Sequence, residues 1–153
     1  MKRRAFLQKT TLASLSSAAP FAAASSQAQE KELIIDVHQH LAFHERDDAV
    51  FLKHQDAMGI GKTVLLPAGR SVKRPSTRNG SANGLAAKVS GNEPAAALAA
   101  KHPDKYIYFC NEVPDLPEAK DVIEKWLKKD ARGIGEQKFN LEGDAEEMQL
   151  IYS

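Results

Sequence analysis

The chain has 153 residues, with 21 Lys and Arg against 20 Asp and Glu, 42% hydrophobic residues and a single cysteine; that length allows one domain and little more. No apolar run reaches the ~18–20 residues of a membrane span, and one thiol, Cys110, makes neither an internal disulfide nor a cysteine zinc site. Lys2, Arg3, Arg4 and Lys9 lie in a segment with the features of a removable leader; the other 17 basic and 20 acidic side chains leave −3, which argues against a nucleic-acid footprint.

Residues 1–28 have the anatomy of an export signal: a charged start at Met1-Lys2-Arg3-Arg4, an Ala-, Ser- and Leu-rich stretch over 10–24, and a small-residue end at Ser26-Gln27-Ala28. Arg3-Arg4 followed by Ala5-Phe6-Leu7-Gln8-Lys9 resembles the bacterial twin-arginine signal, and Pro20 late in the apolar stretch fits it. The resemblance implies the twin-arginine export machinery as a partner and a periplasmic or secreted protein, exported folded, with cleavage after Ala28 or, as second choice, Ala24. Ser and Ala offer too little apolar area for a stable membrane anchor. The chain thus divides into a signal, 1–28, and a folded body, 29–153.

Within the body, Leu33-Ile34-Ile35-Asp36-Val37-His38 is a short branched apolar run that suits a strand buried on both faces. Residues 47–58 read as a helix carrying Ala49, Val50, Leu52 and Met58, with Gly59 and Gly61 as stops. Thr63-Val64-Leu65-Leu66 is a second strand. Residues 93–101 form a second helix with Asn92 as N-cap and Pro103 beyond its end. Tyr106-Ile107-Tyr108-Phe109-Cys110 is a third strand, and 118–129 a third helix with Val122, Ile123, Trp126 and Leu127 at helical spacing. Residues 133–139 read as a fourth, weaker strand. Asp144 is the expected N-cap of a last helix carrying Met148, Ile151 and Tyr152.

Alternation of strands and helices predicts an α/β fold with a parallel sheet and right-handed crossovers. About four βα units fit either the N-terminal half of a (β/α)8 barrel or a small open sheet. Because the chain stops early in its last helix and a barrel needs ~250 residues, a truncated sequence is the expectation.

Chemistry concentrates at Asp36-Val37-His38-Gln39-His40. Side chains alternate along a strand, so His38 and His40 project to one side. At the C-terminal end of a parallel strand, two neutral imidazoles so placed can chelate one divalent cation; a solvated pair of loop histidines is the bland alternative.

Leu33-Ile34-Ile35-Asp36-Val37-His38-Gln39-His40 resembles the opening strand of the amidohydrolase superfamily, above all its amidohydrolase-related branch of hydrolases and decarboxylases. The resemblance runs from Glu32 to the end of the chain. It implies a (β/α)8 barrel whose metal, one or two ions and by our choice zinc, is held by His38 and His40 and by a residue of strand four. There Glu136, after Ile134-Gly135, is the expected ligand, and Lys138, two residues on, its competitor as a carbamylated lysine. The resemblance places the other ligands and the general base beyond Ser153, so the fragment alone is expected to be inactive.

Arg70 and Arg74, in a long polar loop over 69–84, are candidates for binding an anionic group of the substrate, against a mobile solvated loop as the plainer reading. Gly59-Ile60-Gly61-Lys62-Thr63 is not a phosphate loop: Asp56 stands where its first glycine belongs, and the run precedes a strand. His44, His54 and His102 read as solvated or capping, and Cys110 as a buried inert thiol. The functional expectation is a metal-dependent hydrolase of a small organic substrate, cleaving a C–N, ester or lactone bond, with oligomers allowed. The alternatives are a non-oxidative decarboxylase on the same fold and a non-catalytic periplasmic α/β protein that binds a metal or ligand.

Overall fold

A computed structural model describes residues 32–82 and 90–153, all within the compact unit Glu32–Ser153. The expected export signal, 1–28, and Asn83-Gly84 of the polar loop lie outside the described residues. Seven elements follow in order: β1 (Ile34–Gln39), α1 (Asp48–Ala57), β2 (Ile60–Leu65), α2 (Glu93–Lys101), β3 (Tyr106–Tyr108), α3 (Ala119–Leu127) and α4 (Glu146–Tyr152). No helix among them is long and apolar enough to cross a membrane.

The three strands form a parallel sheet in the order β1-β2-β3. The expected fourth strand is reduced to a single parallel bridge between Cys110 and Ile134. Pairing begins well, with Arg132 N donating to Tyr108 O, Cys110 N to Gly133 O and Gly135 N to Cys110 O, each at 2.8 Å. Gly133 permits this close approach, since a Cβ there would stand 2.9 Å from the Phe109 ring. Beyond Gly135 the bonds to this segment come from side chains, so the chain follows β3 without a continued ladder.

β1 is not buried on both faces: Leu33, Ile34, Ile35 and Val37 are all exposed, Val37 at 68%. It is an edge strand of the sheet, and branched apolar composition records strand propensity without revealing whether neighbours cover it. The core lies instead around β2 and β3, where Leu65, Tyr106, Tyr108 and Cys110 meet Phe51 of α1, Leu98 and Ala99 of α2, Ile123 and Trp126 of α3, and Ile151 of α4.

α1 lies within the span the sequence predicts, and Asp47 caps it by accepting from Val50 N at 2.7 Å. It ends at Gly59, whose φ of 70° reverses the chain, while Gly61 lies inside β2 rather than at a helix stop. Its buried face is Phe51 and Gln55, not Val50 and Met58, which are exposed. Asn92 holds the N-cap position of α2 as expected but makes no cap bond, its side chain being turned to Asn111, whereas Ala145 rather than Asp144 holds the N-cap of α4. α3 buries Ile123 and Trp126 but leaves Leu127 exposed.

Candidate metal centre

The two histidines leave β1 on the same side, with Nε2 of His38 3.2 Å from Nε2 of His40. The β1–β2 register sets Gln39 opposite Leu65, and Leu66 N donates to Gln39 O at 2.8 Å. This brings the Leu66 carbonyl to His40, whose Nδ1 donates to it at 2.7 Å. A carbonyl only accepts, so that bond fixes the proton on Nδ1 and leaves Nε2 of the neutral ring as a lone pair. His40 is 7% exposed, whereas His38 is open to solvent.

Asp36 braces the strand end. Its Oδ1 accepts from His38 N at 3.1 Å, and its Oδ2 accepts from Gln39 Nε2 at 2.7 Å and from Gln55 Nε2 of α1 at 3.2 Å. Thr63 of β2 donates in turn to Gln55 Oε1. Gln55 sits on the buried face of α1 because it closes this chain of polar groups, a burial tolerated only where its donors and acceptor are satisfied.

Glu136 completes the cluster. Its Oε2 is 3.0 Å from His38 Nε2 and 3.3 Å from His40 Nε2, while Lys138 Nζ lies 2.9 Å from its other oxygen, Oε1. The buried Oε2 accepts no hydrogen bond among the described residues, despite these short contacts. With His40 protonated on Nδ1, His38 alone can offer a proton at Nε2 to a triangle of electron-rich atoms. A divalent cation resolves that arrangement: ligands ~2.0–2.1 Å from one ion stand about 2.9–3.4 Å from each other, as these three do. His38, His40 and Glu136 thus form a group able to hold a metal ion. Two imidazoles and a carboxylate suit zinc with an open coordination position, and the same set suits ferrous iron.

Lys138 stands beside the cluster as the cationic neighbour of Glu136. Arg70 and Arg74 are engaged elsewhere. Arg70 Nε donates to the buried Glu112 at 2.9 Å and its Nη2 to Glu118 at 2.8 Å. Burial works against the Arg70 charge, but the Glu118 and Glu112 carboxylates outweigh it and hold the guanidinium above its ordinary range. Arg74 pairs with Asp115, which also accepts from both N and Oγ of Ser76. The loop after β2 is therefore pinned to the loop after β3. His44 stacks edge-on against Phe43, His54 lies in the last turn of α1, and His102 is the C-cap residue of α2. Cys110 is buried, and burial pushes its thiol up to about 11.

Asn111 and Gln55 received no role from the sequence, Asn92 was read only as a helix cap and Leu66 only as a strand residue; no spacing signal ties them to the site, because they act through carbonyls and amides that only the folded chain brings together. A cleft of about 520 Å3 between α2 and α3, lined by Ala99, Tyr108, Trp126 and Arg132 among others, contains none of the cluster residues. No family model, curated protein or solved structure matches the chain. What stands is an α/β protein with a candidate metal centre where parallel strands end.

Proposed function

We propose that the chain is the N-terminal part of an exported, metal-dependent (β/α)8 hydrolase resembling the amidohydrolase-related group, acting on a small organic substrate. The convergence of His38 Nε2, His40 Nε2 and the orphaned Glu136 Oε2 carries this reading. The sequential order β1-β2-β3, continued by the Cys110–Ile134 bridge, supports barrel winding, because doubly wound sheets reverse their order at a switch point. His40 and Asn111 follow the C-terminal ends of β1 and β3, and Glu136 follows the Ile134 bridge, on the side where α/β enzymes keep their sites.

In this reading His38, His40 and Glu136 hold a divalent cation, zinc by preference. Such an ion supplies Lewis acidity, polarising a carbonyl and acidifying water so that hydrolysis runs near neutral pH. The chain's own residues do the holding: Leu66 O keeps the His40 lone pair aimed inward, Asp36 steadies the backbone of His38, and Lys138 balances the carboxylate of Glu136. The exposed flank at His38 leaves an approach for water and substrate.

The test is elemental analysis of the purified full chain beside its variants. Wild type should carry about one equivalent of metal. His38→Ala and His40→Ala should weaken retention by more than the ~10–100-fold typical of losing an outer hydrogen-bond partner, and Glu136→Gln should weaken it more than Lys138→Met does. Full occupancy in His38→Ala would sink the assignment, and a larger loss in Lys138→Met than in Glu136→Gln would make the lysine the ligand. The reaction class is read from the product of the complete reading frame on amides, esters and lactones; carbon dioxide release from a carboxylate substrate would reassign it as a decarboxylase.

A further inference from the structure

Glu136 sits where regular pairing has stopped. The last backbone bond to β3 in that segment is Gly135 N to Cys110 O at 2.8 Å, and the residue after Cys110 is Asn111, fully buried. Its amide continues the pairing. Asn111 Nδ2 donates to Glu136 O at 2.7 Å and to Pro67 O at 3.2 Å, while Asn111 Oδ1 accepts from Gln137 Nε2 at 2.8 Å. Its backbone is gripped on both sides by Asn92: Asn111 N donates to Asn92 Oδ1 at 2.8 Å, and Asn92 Nδ2 donates to Asn111 O at 2.9 Å.

One planar amide therefore joins the chain after β2 to both Glu136 and Gln137, while the backbone of the same residue is tied to the start of α2. Each polar group of Asn111 has a partner, which offsets the cost of burying a primary amide. A core position needing only volume would be filled more cheaply by an apolar side chain. We infer that Asn111 is a positioning residue for the metal centre, fixing the backbone of Glu136 so that its carboxylate reaches His38 and His40. This rests on the proposed metal centre and adds to it a residue that touches neither ion nor substrate.

The inference is tested on the full chain by competing zinc away with a chelator of known affinity. Asn111→Ala should bind zinc ~10–100-fold more weakly with its histidines intact, the range for losing an outer partner of a ligand. Tyr108→Phe, which removes a hydrogen bond to Lys129 O, a residue outside the cluster, is the control: it costs stability and should leave zinc affinity unchanged. The double variant with Glu136→Gln should lose little more than Glu136→Gln alone, because the two residues act in series. Should Asn111→Ala fail to fold, Gln137→Ala removes one bond of the brace and should still weaken zinc several-fold. Unchanged affinity in Asn111→Ala, additive losses in the double variant, or an equal loss in Tyr108→Phe would each overturn the positioning role while leaving the metal centre standing. A wild-type chain that binds no zinc, in the same assay, would overturn both.

Discussion

Cys110 shows how a single side chain answers to its surroundings. Its sulfur lies 3.5 Å from Gly133 O and 3.9 Å from Ile123 O, a buried position with carbonyl oxygens nearby. Desolvation disfavours the thiolate, so the folded protein keeps the proton up to about 11, against ~8.5 for an unfolded cysteine. Below ~8.5 both states are protonated and the group adds no pH dependence. As pH rises toward about 11 the unfolded chain releases the proton first, and stability falls. Denaturant midpoints should therefore drop between ~8.5 and 11, and Cys110→Ala, though less stable at neutral pH by roughly 1 kcal/mol or more for its cavity, should show a shallower decline. A decline of equal slope in the variant would mean that the thiol is not responsible. The same burial makes the thiol slow to react with an alkylating reagent at pH 8 in the native state.

Helix α1 illustrates how an element can be foreseen while its orientation is not. Its cap, length and glycine stop are local properties, set by Asp47, the residues between and Gly59. Its buried face is a tertiary property. Phe51, 1% exposed, packs against Tyr106 with ring centroids 5.7 Å apart and lies under the Arg46 guanidinium at 4.6 Å. Val50, at 40%, turns outward. Phe51→Ala should cost ~3–5 kcal/mol and Val50→Ala less than about 1 kcal/mol, read from urea unfolding of the full chain. Comparable losses would mean that α1 is rotated on the sheet. Because Gln55 shares the face of Phe51 and reaches Asp36, the orientation of α1 also bears on the metal centre.

For the whole molecule, the leader and the metal centre belong to one proposal. A protein sent through the twin-arginine route travels folded, so a site built from β1, β2 and the segment after β3 can be loaded before export. Replacing Arg3 and Arg4 together by lysine should hold the precursor in the cytoplasm, followed by fractionation of tagged full-length protein from a bacterium that has the pathway. Normal export of the double variant would remove the twin-arginine assignment and leave the site untouched.

The sequence by itself determined the alternation of strands and helices, the span of α2, the glycine stop of α1 and the pairing of His38 with His40. Each depends on chemistry within a few residues: apolar period, a glycine after a helix, and the two-residue alternation of a strand. Glu136 was legible only through a resemblance, since nothing local distinguishes it from the other glutamates. Tertiary structure alone decided that β1 lies at an edge with its apolar side chains exposed, that Asn92 turns from its helix to Asn111, and that Leu66 O sets the proton on His40. Those outcomes depend on backbone atoms contributed by residues 19 and 26 positions apart. Backbone carbonyls are identical in every residue, so no side-chain pattern records which of them a fold will bring to a histidine or an amide.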